Sequence, residues 1–132
     1  MENFRFTRIF HVRDYECDFQ GIVNNAVYLN YLEHSRHEFA KHVGLDVVEL
    51  ARRKINLVVV RAELDYKRPL RSGDIFVVGT NLERISRVRL AFTHTIYLKD
   101  SEQLILQARI IVVAMNERGR PLWPDELKTL LQ

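Results

Sequence analysis

A single long helix-patterned stretch, running from Asn24 or Asn25 to about Val43, is followed by four strand-patterned runs with no helix among them. That order limits the fold more than any other feature of the chain. Tyr28, Leu29, Leu32, Ser35, Phe39, Ala40 and Val43 recur at helical spacing, and Asn30, His34, His37, Glu38 and Lys41 fall largely opposite. Asn24 or Asn25 offers a side-chain oxygen to the orphan N–H groups of the first turn, and Gly44 offers a stop. Such a helix is about 27 Å long. Ser35, small within a stripe of large residues, lets a sheet approach closely. Leu45 to Lys54 reads as a second, shorter helix.

The strand runs have a period of two. Before the helix, Phe4, Phe6, Arg8, Phe10 and Val12 share one side of an alternating segment. After it, Asn56 to Arg68 assigns Val58, Val60, Ala62, Leu64 and Tyr66 to one face. Ile75 to Ile85 and Val88 to Leu98 follow, and Leu104 to Met115 is nearly all apolar, as a central strand should be. Glu117 to Pro121 breaks the pattern, and Pro124 to Gln132 suits a short terminal helix. Short turns between consecutive strands make the sheet antiparallel. A helix with one apolar face must then lie against it. The predicted class is α+β, one domain over residues 1–132, with an antiparallel five-stranded sheet and one long helix.

Composition narrows the function. The chain has 132 residues, enough for one domain with a real core. Its net charge of +3 permits an anionic ligand without demanding nucleic acid. No apolar run approaches the roughly 20 residues of a membrane span, and the charged, alternating N-terminus is unlike a secretory signal. A lone cysteine, Cys17, suits a reducing compartment, so a cytoplasmic protein is expected.

The chemistry concentrates just before the long helix. Asp18 precedes a helix N-terminus, where free N–H donors and partial positive charge gather. An acid beside such donors is what acyl transfer requires: one group attacks or directs water, and the donors hold the oxyanion. The same spacing also describes an ordinary turn aspartate hydrogen-bonding locally.

The residues Asp18, Gly21-Ile22-Val23, Tyr28, Glu33 and Arg36 match the pattern D-x-x-G-[IV]-V-x-x-x-x-Y-x-x-x-x-E-x-x-R. This resembles the signature of the 4-hydroxybenzoyl-CoA thioesterase-like branch of the hotdog-fold superfamily. The variant VRDYECDFQGIVNNAVYLNYLEHSRHEF, with PLRSGD later, is most similar to the acyl-lipid (acyl-ACP) thioesterases of plants and their bacterial relatives. The resemblance implies a sheet wrapped around the long helix, subunits joined edge to edge into a homodimer or homotetramer, and active sites at the interface. It implies hydrolysis of an acyl-CoA or acyl-ACP, with a fatty acyl group, and without metal, nucleotide or redox cofactor. Asp18 takes the place of the nucleophile or general base, and the backbone N–H of Asn25 that of the oxyanion donor. Many bacterial relatives have Tyr-His where this chain has Asn24-Asn25. That leaves Asp18 as the sole candidate base and argues against a hotdog hydratase or dehydratase, which pairs a His with a carboxylate. A non-catalytic acyl-CoA-binding dimer would keep the pocket and lose the base.

Around this centre, Gly21 is a candidate for close substrate approach or simply a turn glycine, and Tyr28 and Val58 are candidates for the acyl pocket. Glu33 and Arg36, three apart on the helix, could pair. Arg68, Arg71, Arg87 and Arg89 cluster around two strand-end turns, which are candidate docking points for phosphates of CoA or phosphopantetheine or simply solvated turns. His34 and His37 could share a metal, but zinc needs a third protein ligand that neither His11 nor His94 is placed to supply. Cys17, adjacent to Asp18 in an extended segment, points to the opposite side and reads as a small core residue.

Overall fold

The computed structural model describes residues 3–131. The elements run β1 (Phe6–His11), a 3-10 turn (Asp14–Glu16), α1 (Asn25–His42), α2 (Val47–Arg52), β2 (Asn56–Tyr66), β3 (Ile75–Arg84), β4 (Arg89–Leu98), β5 (Leu104–Met115), β6 (Pro121–Leu122) and α3 (Asp125–Leu130). Every strand pair is antiparallel, in the order β1-β3-β4-β5-β2, with β6 on β5. This is the α+β hotdog arrangement expected. The sheet has six strands rather than five, because two residues after the Glu117–Arg120 turn pair back onto Ala114 and Met115.

The inner face of the sheet packs on α1. Phe6, Phe10, Phe76, Val78, Phe92, Ile96, Leu106 and Ile110 meet Tyr31, Leu32 and Phe39 in one core. Leu32 and Phe39 are fully buried. Each such side chain contributes roughly 1.5–3 kcal/mol by leaving water. Ser35 is also fully buried, as a small residue at the closest approach of helix to sheet requires. Asn24 is the N-cap, accepting from Ala26 N–H at 3.1 Å. The buried stripe differs from expectation in one step: Tyr31 is inside, and Leu29 is 42% exposed.

β2 departs from simple alternation. Val59 pairs with Val112 and Arg61 with Ile111, so Val60 is an extra residue in a β-bulge. The bulge reverses parity within the strand. Leu57 and Val59 face inward before it, and Ala62, Leu64 and Tyr66 after it, judged from their inward partners on β5. Val58, placed above on one face with Ala62, Leu64 and Tyr66 and as a candidate for the acyl pocket, instead pairs with Val113 on the outer face. β2 is also the free edge of the sheet. Val58, Val59, Val60 and Tyr66 are all substantially exposed along it.

Candidate active site

The segment before α1 is a small hairpin. A bridge joins Cys17 to Val23, and Asp18 N–H donates to Ile22 O at 2.9 Å. Gly21 N–H returns to Asp18 O at 3.0 Å, and Gly21 has φ +80°, a left-handed conformation that disfavours any residue with a Cβ. Nothing lies within 4 Å of where a Cβ would sit, so the glycine is required by its backbone and not by crowding. The hairpin leads directly into the N-cap of α1 at Asn24. One carboxylate oxygen of Asp18 accepts from Gln20 N–H at 2.8 Å, which fixes the side chain on an exposed turn.

At the helix start, Ala26 N–H is taken by the Asn24 side chain and Val27 N–H by Asn24 O. Asn24 N–H goes to Glu16 O at 3.0 Å. Among the described residues, Asn25 N–H has no such partner outside the helix. A carboxylate and an uncapped helix N–H are the two kinds of group that acyl transfer needs.

A buried carboxylate that sequence reasoning missed braces this arrangement. Glu16 lies two residues before Asp18 and is only 7% exposed. It accepts from Arg13 N–H at 2.8 Å, from Arg13 Nη2 at 3.3 Å and from Tyr31 Oη at 2.9 Å. Burial and the adjacent Glu16 carboxylate push the Tyr31 phenol far up, so it remains a donor. The hydrogen bond to Glu16 also raises Arg13. Glu16 thereby ties the exit of β1, the second turn of α1 and the N-cap to one another. Its pairing with a tyrosine fifteen residues away carries no local signal, although Tyr31 at i+3 from Tyr28 could have been placed inside.

The other candidates separate into groups. Tyr28 is buried, and its hydroxyl accepts from Leu70 N–H at 3.0 Å, pinning the β2–β3 connection to α1. Burial raises its phenol too. Arg68 and Arg71 lie at the same end of the molecule as Asp18. Arg71 bridges Ile22, and Arg68 N–H donates to Ile105 O. Arg87 and Arg89 sit in the β3–β4 turn, where Ile85 N–H meets Arg89 O. That is the opposite end of a ten-residue strand, roughly 33 Å away. The four arginines therefore form two groups, one at each of the two turns, at opposite ends of β3. Cys17 is half-buried, and burial, followed by the nearby Asp14 and Asp18 charges, raises its thiol. His34 faces Glu38 at 3.6 Å and His37 faces Glu33 at 3.8 Å. Among the described residues no cluster of three or more His, Cys, Asp or Glu could hold a metal ion.

Tyr66 Oη reaches Asn25 O at 3.4 Å, and the inward register of β2 makes a track from there through Leu64 and Ala62 to Val59. Val59 lines a cavity of about 610 Å³ with Phe39, Leu50, Leu57, Phe92 and Val112, and Glu33, Arg36, His37 and Lys41 are also in its wall. Val59, and not Val58, contributes to this cavity, because of the bulge.

The sequence profile described as the thioesterase-like superfamily matches residues 12–131. A chloroplastic acyl-acyl carrier protein thioesterase of Arabidopsis thaliana is 41% identical over 111 residues, 84% of this chain. The chain spans 58% of that relative's length. A long-chain acyl-CoA thioesterase of Escherichia coli is 28% identical over 109 residues, covering 80% of this chain and 79% of its own. The crystal structure of a 1,4-dihydroxy-2-naphthoyl-CoA thioesterase from Synechocystis superposes with a TM-score of 0.88 over 94% of this chain and 93% of its own, at 20% identity. With the profile covering the hairpin, α1 and the whole sheet, the chain belongs to the thioesterase-like superfamily of hotdog-fold proteins.

Proposed function

We propose that the protein is an acyl thioesterase that hydrolyses a fatty acyl-ACP or acyl-CoA to free acid and thiol. The observation that carries this is the hairpin that leads into α1, which holds Asp18 on an exposed turn just before a helix start whose Asn25 N–H has no partner outside the helix among the described residues. Asp18 acts as nucleophile on the thioester carbonyl or as base toward the attacking water. The N–H and the positive end of α1 stabilise the oxyanion. Relatives named for acyl-ACP and acyl-CoA hydrolysis support the substrate class. Arg68 and Arg71, exposed at this end, suit the phosphates of the carrier. The track along β2 accepts the acyl chain.

The test is free-thiol release from a panel of acyl-CoAs and acyl-ACPs of graded chain length. Release from at least one member is expected, with a clear optimum in length. A folded protein that releases thiol from none of them overturns the reading.

The working unit is a homodimer or a dimer of such dimers. β2 supports this: it is an eleven-residue edge strand with four exposed apolar side chains, a template for pairing with a second copy. Sedimentation across a concentration series should give twice or four times the chain mass of 15.6 kDa. A monomer at every concentration excludes this assembly. Among the described residues no helix is long and apolar enough to cross a membrane, and the lone Cys17 suits a cytoplasmic setting.

A further inference from the structure

We propose that the cavity beside α1 receives an acyl chain bearing an oxygen acceptor, a hydroxyl or a carboxylate, that the guanidinium of Arg36 binds. This rests on the thioesterase reading and specifies its substrate class. Much of the cavity wall suits hydrocarbon, with Phe39, Leu50, Leu57, Val59, Phe92 and Val112, and Arg36 shares its polar side with Glu33, His37 and Lys41. A plain alkyl chain would leave that polar side unused.

Arg36 is held in place from behind. Its Nη1 lies 3.3 Å from His94 Nε2, and the other ring nitrogen, Nδ1, lies 3.0 Å from Thr80 Oγ1. A guanidinium only donates, so Nε2 carries a lone pair and Nδ1 carries the hydrogen and donates to Thr80. His94 and Thr80 are both buried. Burial, and secondarily the Arg36 charge, lower the His94 pKa to about 3, so the imidazole stays a neutral acceptor. The Phe92 ring lies beneath the guanidinium carbon at 5.9 Å and stacks in turn on His94. Burial also lowers the Arg36 pKa itself, and Glu33 opposes this.

What Arg36 lacks is a counter-ion. Glu33, three residues away, faces His37, and among the described residues no carboxylate pairs with Arg36. One neutral nitrogen satisfies one of five N–H donors. None of its remaining donors is sealed in the core, and Arg36 lines the cavity. A ligand oxygen arriving along the β2 track takes the place of water on them.

Position sets where on the chain that oxygen belongs. Arg36 is eleven residues beyond Asn25, about 16 Å along the helix axis. With C–C bonds of about 1.5 Å laid in zigzag, each advancing about 1.3 Å, the oxygen falls roughly twelve to thirteen carbons from the thioester.

The experiment compares chains of about twelve carbons that are unsubstituted, terminally hydroxylated or terminally carboxylated. Binding is read by calorimetry with the non-hydrolysable S-alkyl-CoA thioethers, and thiol release with the matching acyl-CoAs. Wild type should bind the carboxylated thioether at least about tenfold more tightly than the unsubstituted one, with the hydroxylated one between. Arg36→Met should abolish or reverse that order. If the unsubstituted chain binds wild type as tightly as both others, or if Arg36→Met leaves the order unchanged, the proposal is wrong. The wild-type order decides alone if Arg36→Met does not fold. Preference without thiol release overturns the thioesterase reading and leaves the Arg36 site standing. Thiol release without preference does the reverse.

Discussion

Asp18→Asn is expected to lower kcat for thioester hydrolysis at least about a hundredfold, with KM changed only a few-fold. The substitution isolates the chemistry because of how the side chain is held. One oxygen of Asp18 accepts from Gln20 N–H at 2.8 Å, and the amide oxygen of asparagine can keep that bond. The hairpin bonds at Asp18, Ile22 and Gly21 are main chain and do not depend on the side chain. The variant should therefore unfold at close to the wild-type temperature. What it loses is the carboxylate: an amide neither attacks a carbonyl nor takes a proton from water. A hundredfold loss corresponds to about 2.7 kcal/mol of barrier, within the ordinary range for removing a nucleophile or base. Single-turnover kinetics and thermal melting on the same preparations check both halves. Wild-type turnover in the asparagine variant would reduce Asp18 to the local turn residue that its spacing alone also describes.

Much of this arrangement is legible in the amino-acid pattern, and the failures have physical causes. The N-cap, α1 and the inner face of β4 follow from local rules, since capping and period-two alternation act within a few residues. β2 misleads because a single bulged residue, Val60, changes which face follows, and nothing in a run of three valines marks where the extra residue sits. That is why Val58 and Val59 exchange roles. The arginines are a different case. Arg68 with Arg71 and Arg87 with Arg89 flank two turns, and only the fold shows that those turns lie at opposite ends of β3. Position along a strand is a tertiary fact even where the strand itself is evident. The Arg36–His94–Thr80 group also joins three separate elements, and the helical spacing of Glu33 and Arg36 pointed to a pairing that is not formed.

Glu16 gives the second large effect, this time on stability and turnover together. Glu16→Ala removes the shared acceptor of Arg13 N–H and Tyr31 Oη, of which Tyr31 is buried and Arg13 exposed. One buried donor left unsatisfied and one partly exposed bond lost predict about 2–4 kcal/mol and a fall in Tm of about 10 °C. Tyr31→Phe removes one donor and leaves the carboxylate bound to Arg13, so about 1–2 kcal/mol is expected. Because the two side chains share one hydrogen bond, their effects should be non-additive, with a coupling of about 0.5–3 kcal/mol in a double-mutant cycle. The consequence for catalysis follows from what Glu16 joins. Its carbonyl holds the N-cap Asn24 and its side chain holds α1, so loosening it lets the Asp18 hairpin move relative to Asn25 N–H. Turnover should fall in Tyr31→Phe even at temperatures where that variant is fully folded, and kcat should fall more than KM rises, because the displaced groups act in the transition state. Glu16→Gln, which keeps an acceptor for Arg13 or Tyr31, should recover part of both losses. If Tyr31→Phe melts within about 1 °C of wild type and turns over at the wild-type rate, the brace does not position the hairpin, and Asp18 is held by its own turn alone.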